Sequence, residues 1–117
     1  MINYKDRDEL LIRLNLTRDP DETLDFSQEL EEMYKEVPLE VMCRDFVETD
    51  DVYLNRMLRL NIIKQLMISE ENIEEPMLVA VYRKILTLQH LKGNPRAYGF
   101  AIKRLTEMNY ELENNVR

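Results

Sequence analysis

The sequence predicts an all-α fold, a compact bundle of about six helices without a sheet, and three observations support this prediction. The chain of 117 residues contains only two glycines and four prolines, too few for the turns that a many-stranded fold requires. Residues with high helix propensity, namely Leu, Met, Glu, Lys and Arg, dominate the composition. Apolar residues make up 44% of the chain and recur at helical spacing, so the chain can form its own core.

The first two predicted helices are separated by a proline. Asn3 can cap the first helix, and the buried stripe of that helix consists of Leu10, Leu11 and Leu14. Pro20 prevents continuation, and Asp25, with Gln28 three residues later, is predicted to start the second helix as a capping box. The apolar face of the second helix contains Phe26, Leu30, Met33, Tyr34 and Val37. Its opposite face is acidic and contains Glu29, Glu31, Glu32 and Glu36.

The third and fourth predicted helices concentrate apolar residues in the middle of the chain. Pro38 suits the first turn of a short third helix. Thr49 or Asp50 is expected to cap the fourth helix, which extends to about Ile68. The apolar positions of the fourth helix cover more than one stripe, so we expect either a helix central in the core or a helix buried on two sides, one of them by a partner. The residues assigned to this partner interface are Leu54, Leu58, Ile62 and Leu66.

The last third of the chain is predicted to form a helical hairpin. Pro76 begins the fifth helix and Gly93 is predicted to end it, whereas Asn94 caps the sixth helix and Pro95 takes its first position. The predicted inner face of the sixth helix contains Ala97, Tyr98, Ala101, Ile102, Leu105 and Met108. Gly99 lies inside this helix at a cost of about 1 kcal/mol relative to alanine, which suggests close approach of another helix. We therefore add Gly99 to the predicted partner interface.

Charge divides the chain into two unequal parts. Between Met77 and Thr106 there are six basic residues and no acidic ones: Arg83, Lys84, Lys92, Arg96, Lys103 and Arg104. The other ten basic residues and all 23 acidic residues give the rest of the chain a net charge of −13. We predict one helical domain over 1–117, with acidic helices over 1–75, a cationic hairpin over 76–112 and a frayed tail over 113–117. The division favours a bipolar molecule or head-to-tail self-association.

Residues suited to catalysis or metal binding are scarce. The chain has one histidine, His90, and one cysteine, Cys43, and nothing in the sequence brings the two together. The acidic stretch that begins at Asp19 resembles a calcium loop, but Leu24 and Leu30 occupy the positions that need glycine and a bidentate glutamate. We therefore predict no catalytic residue, no metal site, no cofactor and no enzymatic activity.

The single cysteine also bears on location, because it cannot form an internal disulfide bond. A reducing, cytoplasmic environment is expected, which would be the host cytoplasm for a viral protein. Charged residues near the N-terminus do not fit a signal peptide, and no run of about 20 apolar residues exists, so we expect no membrane partner.

The six basic residues allow two interpretations. They could contact nucleic acid, since Arg96 and Lys103 are seven residues apart and share one helix face. They could instead solvate the hairpin, pair with the acidic half of the chain or bind an acidic partner. Of the residues near the start of the sixth helix, only Arg96 is suited to reading bases, which disfavours sequence-specific recognition.

The same hairpin carries resemblances to two viral protein families. Pro95, Arg96, Ala97 and Tyr98, followed by Leu105 and Asn109, resemble the hairpin of small terminase subunits of large tailed phages. The stretch GFAIKRLTEM, from Gly99 to Met108, resembles the last helix of UvsY-type recombination mediators. Both resemblances imply a helical, oligomeric, non-enzymatic protein of viral DNA metabolism.

Taken together, these features predict a non-catalytic interaction or assembly protein. Its candidate partners are another protein, further copies of the same chain in a homo-oligomer, and nucleic acid. On this reading it is a phage accessory factor of DNA metabolism that acts by self-association and binding. The alternative is an acidic regulator or inhibitor of a host or viral enzyme, which binds through Glu29, Glu31, Glu32 and Glu36 without contacting DNA.

Overall fold

The computed structural model describes residues 2–88 and 95–108, and these residues form six α-helices and no strand. The prediction of an all-α bundle is therefore confirmed. The helices are α1 (Tyr4–Leu16), α2 (Pro20–Tyr34), α3 (Leu39–Glu48), α4 (Val52–Ile68), α5 (Glu75–Thr87) and α6 (Pro95–Glu107). Within the described ranges, no helix combines the length and the apolar character that a membrane span needs.

The starts of the first two helices follow from side-chain caps. The Asn3 side chain accepts a hydrogen bond from the Asp6 N–H at 3.1 Å, so the predicted cap of α1 is confirmed. The predicted start of α2 at Asp25 is wrong, because α2 begins at Pro20 with Asp19 as its cap. Proline is tolerated at the first helical position, where its missing N–H has no partner to lose. Pro20 therefore opens α2, whereas α1 has already ended at Leu16.

The turn between α3 and α4 uses two polar side chains. Asp51, and not the predicted Thr49 or Asp50, caps α4 by accepting a hydrogen bond from the Leu54 N–H at 2.9 Å. Thr49 instead ends α3, and its hydroxyl oxygen accepts from the Asp51 N–H at 3.1 Å. One hydroxyl thus orients the residue that starts the next helix.

α4 lies at the centre of the bundle and packs against α1, α2 and α3. Buried residues occupy most of its circumference: Leu54, Asn55, Met57, Leu58, Arg59, Ile62, Ile63 and Leu66. The prediction of a partner interface at Leu54, Leu58, Ile62 and Leu66 is corrected, because none of the four is more than 2% exposed within the single chain. Neighbouring helices of the same chain cover these four residues.

The hairpin differs from its prediction in two respects. α5 ends at Thr87, several residues before the predicted stop at Gly93, whereas α6 begins at Pro95 as expected. Ile102 is 41% exposed, although it was assigned to the inner face of α6. Phe100 packs on α5 in its place, with its ring edge-on to Tyr82 at a centroid distance of 5.7 Å. His90, Lys92, Gly93, Asn94, Asn109 and the predicted tail over 113–117 lie outside the described residues.

A buried carboxylate joins the first three helices. Asp45 of α3 is 3% exposed and accepts a hydrogen bond from the Tyr34 hydroxyl of α2 at 2.7 Å. The Tyr4 hydroxyl of α1 lies 3.1 Å from both oxygens of Asp45. Arg7 donates to the Tyr34 hydroxyl, and its Nη1 lies 3.7 Å from the Asp45 carboxylate. Burial raises the pKa of Tyr34, so its hydroxyl remains a donor.

A partly buried lysine fixes α5 against the end of α3. The Lys84 ammonium donates to the backbone carbonyls of Phe46 and Thr49 and lies 4.9 Å from the centroid of the Phe46 ring. These carbonyls belong to the C-terminal end of α3, where the helix dipole favours a cation. Burial lowers the pKa of Lys84, and the nearby charge of Asp50 opposes this shift.

We predict that Asp45→Asn lowers the free energy of unfolding by about 2 kcal/mol, because it removes the charge that two tyrosines and Arg7 stabilise. Urea denaturation followed by circular dichroism measures the change. The matched control is Glu48→Gln, an exposed position on the same helix, with an expected change of less than about 0.5 kcal/mol. Equal effects of the two substitutions would contradict the assigned role of Asp45.

Candidate functional site

The structure separates the six basic residues predicted to bind a partner. Lys84 contacts α3 inside the fold, and Arg104 forms an ion pair with Glu70, with its Nε donating at 2.8 Å. Both cations are therefore used to hold helices together and are corrected as partner-binding residues. Arg83, Arg96 and Lys103 are exposed, whereas Lys92 lies outside the described residues. The cationic surface for a partner is smaller than the sequence predicts.

The acidic face predicted for the second helix lies on the protein surface. Glu29, Glu31, Glu32 and Glu36 are all exposed, the first three on α2 and the last just beyond its end. The apolar side chains of α2 are directed inward, so this face offers charge with little apolar area. Leu24 is the one large apolar residue of the described part of α2 that is strongly exposed, at 57%.

An apolar groove with a basic rim lies between α4 and α6. It has a volume of about 650 Å³. Its lining residues are Arg59, Leu60, Ile63, Lys64, Met67 and Ile68 of α4, together with Arg96 and Ala97 of α6. Leu60 is 45% exposed and Ile68 is 86% exposed, so large apolar side chains face solvent here. We refer to this site as the α4–α6 groove.

Arg59 is the most unusual residue of the groove. It is only 6% exposed, and its Nε–H has no hydrogen-bond partner. Among the described residues no carboxylate forms an ion pair with it. Burial, together with the neighbouring charge of Arg56, lowers the pKa of Arg59. A guanidinium remains protonated under these conditions, so the groove contains a cation with a buried Nε–H group and no counter-charge among the described residues.

The surroundings of Arg59 also favour an anion. Lys64 and Arg96 add two exposed cations to the groove lining, and none of the described lining residues is acidic. The first turn of α6, which contributes Arg96 and Ala97, lies at the positive end of the helix dipole and contains no acid. Apolar surface and positive charge are thus combined at one place on the protein.

Sequence reasoning missed Arg59 and Lys64 because it followed the charge run of the last third. The available signal was the position of Arg59 within the helix. It is spaced three and four residues from Ile62, Ile63 and Asn55, all of which are buried. An arginine on an apolar face indicates either an internal partner or an external one, and the sequence alone does not distinguish them.

The assignment of Gly99 to a partner interface stays a prediction. Gly99 is exposed, and a Cβ atom at this position would have no neighbour within 4 Å among the described residues. The expectation that Gly99 allows close approach of another helix is therefore not met by any helix described in this chain.

The other reactive groups serve structure. Cys43 is fully buried, and burial raises the pKa of its thiol to about 11, so it stays protonated at neutral pH. Asp19, part of the calcium-like stretch, caps α2. Within residues 2–88 and 95–108, no cluster of His, Cys, Asp and Glu side chains has the arrangement needed to hold a metal ion.

Comparison with protein families, with curated proteins and with solved structures finds no match to this chain. The resemblances of the hairpin to small terminase subunits and to UvsY-type mediators therefore remain predictions.

We predict that Arg59→Met raises the free energy of unfolding by about 1 kcal/mol, because methionine keeps the apolar stem and removes the unpaired charge. Thermal unfolding followed by circular dichroism would show a higher melting temperature. Arg56→Met is the control, since Arg56 is exposed and its replacement should leave stability unchanged. A destabilised Arg59→Met protein would show that Arg59 has an internal partner and would contradict this description.

The wall that α6 contributes to the groove depends on Glu70, which contacts both Arg104 of α6 and the Tyr82 hydroxyl of α5. The hydrogen bond from Arg104 lowers the pKa of Glu70. A carboxyl group whose pKa is lower in the folded than in the unfolded protein stabilises the fold at pH values above its unfolded-state pKa. This stabilisation is lost as the pH falls through the folded-state pKa.

We therefore predict that Glu70→Gln destabilises the protein at neutral pH, and that its difference from the parent protein disappears as the pH falls through the lowered pKa of Glu70. Urea denaturation at several pH values measures this difference. Glu71→Gln, an exposed neighbour, provides the control. A difference that persists unchanged in acid would rule out the ionised Glu70–Arg104 pair as its cause.

Proposed function

We propose that this chain is a non-catalytic interaction and assembly protein, and that it binds a helix of a protein partner in the α4–α6 groove. The observation that carries the proposal is Arg59, which is 6% exposed, lines an open apolar groove and has no ion-pair partner among residues 2–88 and 95–108. A cation in this position destabilises the free protein. A partner that supplies a carboxylate would remove this cost on binding, which gives the residue a function.

Protein binding explains the groove better than nucleic-acid binding does. Phosphate backbones are bound by exposed lysines and arginines, and Lys84 and Arg104 are used inside the fold. The groove lining includes Leu60, Ile63 and Met67, and apolar surface of this kind is typical of helix-binding grooves.

Nucleic-acid contact is the second candidate, and it rests on Arg96 and Lys103, which are both exposed on α6. Residues seven positions apart lie on one side of a helix, so both could meet one phosphate strand. The viral role in DNA metabolism implied by the family resemblances belongs to this candidate. The exposed acidic face of α2 supports the further alternative of a regulator that docks on a basic surface without DNA.

Site-specific photo-crosslinking in cells that naturally produce the protein tests the proposal. A benzoylphenylalanine at position 68, replacing the exposed Ile68 of the groove, should give a discrete protein adduct that survives nuclease treatment. The same group at position 24, replacing the exposed Leu24 of α2, is the matched control and should not give it.

Lys64→Glu should abolish the adduct at position 68, because it reverses the charge at the groove. A nuclease-sensitive adduct would instead favour the nucleic-acid candidate. Absence of any adduct that depends on Lys64 would contradict the proposed binding site.

A further inference from the structure

The shape of the α4–α6 groove restricts what can occupy it. Two rows of α4 line it, each with a spacing of four residues: Arg59, Ile63 and Met67 in one row, and Leu60, Lys64 and Ile68 in the other. From Arg59 to Met67 the helix rises about 12 Å, which corresponds to little more than two turns of an occupying helix. A fitting helix therefore needs one acidic residue at the Arg59 end, followed by apolar residues along one face.

The outer surface of α1 of the same protein has this pattern. Ile12 and Leu16 are 58% and 74% exposed, and they lie four residues apart on one side of α1. Glu9, at three and seven residues from them, is exposed and has no ion-pair partner among the described residues. We refer to Glu9, Ile12 and Leu16 as the α1 ridge.

The length of the ridge is close to that of the groove, and Glu9 offers a carboxylate opposite in charge to Arg59, with the exposed Arg13 beside it on the same face of α1. The ridge spans about 10 Å along its helix, compared with about 12 Å for the row from Arg59 to Met67. With the two helices parallel, Glu9 would meet Arg59, and Ile12 and Leu16 would extend toward Ile63 and Met67. A carboxylate from Glu9 would supply the charge that Arg59 lacks, while apolar surface exposed on both sides would be covered.

We infer that the occupant of the α4–α6 groove is the α1 ridge of a second copy of this chain. The inference rests on the proposed function and names its partner. The acidic face of α2 is a poorer match, since its glutamates are accompanied by little exposed apolar area. Ridge and groove are different surfaces, so two copies joined by one ridge–groove contact keep one free ridge and one free groove between them. Such contacts build a ring or an open filament.

Complementation between two full-length variants tests this inference by analytical ultracentrifugation. The parent protein should form species larger than a dimer, with dissociation constants on the order of 10–100 μM because the contact is small. Ile12→Lys with Leu16→Lys disables the ridge and leaves the groove intact. Lys64→Glu with Ile68→Glu disables the groove and leaves the ridge intact. All four positions are exposed, so the variants should fold.

Each variant alone should be a monomer, and their mixture should form a heterodimer and nothing larger, because only one intact ridge and one intact groove remain. Leu24→Lys is the control, which should assemble like the parent protein since Leu24 belongs to neither surface. A parent protein that stays monomeric at about 1 mM, well above the expected constants, would overturn the inference. A mixture of variants that does not associate would also overturn it.

The pairing of Glu9 with Arg59 is tested by a double-mutant cycle in the same assay. Glu9→Gln should weaken assembly at least about tenfold in the parent background and much less in the Arg59→Met background. Equal effects in both backgrounds would exclude this pair. If the groove crosslinks to a different protein while the parent chain is monomeric, the second-copy inference fails and the proposed function stands.

Discussion

Burial of α4 on most of its circumference is the constraint on which the rest of the structure depends. A chain of this size has one core, and the helix at its centre must present apolar side chains in several directions. Leu54, Leu58 and Ile62 are fully buried and contact surrounding helices, and each contributes about 2 kcal/mol through removal of apolar surface from water. Arg59 lies on the same helix, is buried with them and contributes no such gain. The stability of the isolated fold does not explain why an arginine occupies this position at the edge of the core.

Charged contacts at the periphery decide which cations remain for a partner. Asp45 holds α1 and α2 to α3, Lys84 holds α5 to the end of α3, and the Glu70–Arg104 pair holds α6 to the connector before α5. Lys84 and Arg104, two of the basic residues of the hairpin, therefore stabilise the fold. The positive charge at the groove therefore comes from cations that these contacts do not use. Arg59 and Lys64 belong to α4, and Arg96 belongs to α6 of the hairpin.

The sequence was sufficient for features that depend on neighbouring residues. The cap at Asn3 and the apolar stripe of α1 involve residues within one or two turns, and both are found as predicted. Pro20 shows the limit of local reasoning, since a proline ends one helix and opens another equally well, and only Asp19 identifies which role applies.

Contacts between distant residues could not be predicted in this way. Glu70 and Arg104 are 34 positions apart, and nothing in either local sequence identifies the other as its partner. The partner interface assigned to α4 failed for a related reason. Periodicity shows that a helix is apolar on two sides, but it does not show whether the second side is covered by the same chain. The groove is defined by the burial of Arg59 together with the exposure of Ile68, and helical periodicity predicts neither of them.

The Arg59 guanidinium has no ion-pair partner among the described residues, and in the proposed assembly it acquires a carboxylate from Glu9 of a second copy. The most direct measurement is the ¹H–¹⁵N resonance of the Arg59 Nε–H group, followed by NMR during dilution from the assembled to the monomeric state. If Glu9 of a second copy pairs with Arg59, this resonance should shift with concentration in the parent protein and stay fixed in the Glu9→Gln variant. A resonance that does not change with concentration, or that changes equally in both proteins, would contradict the account.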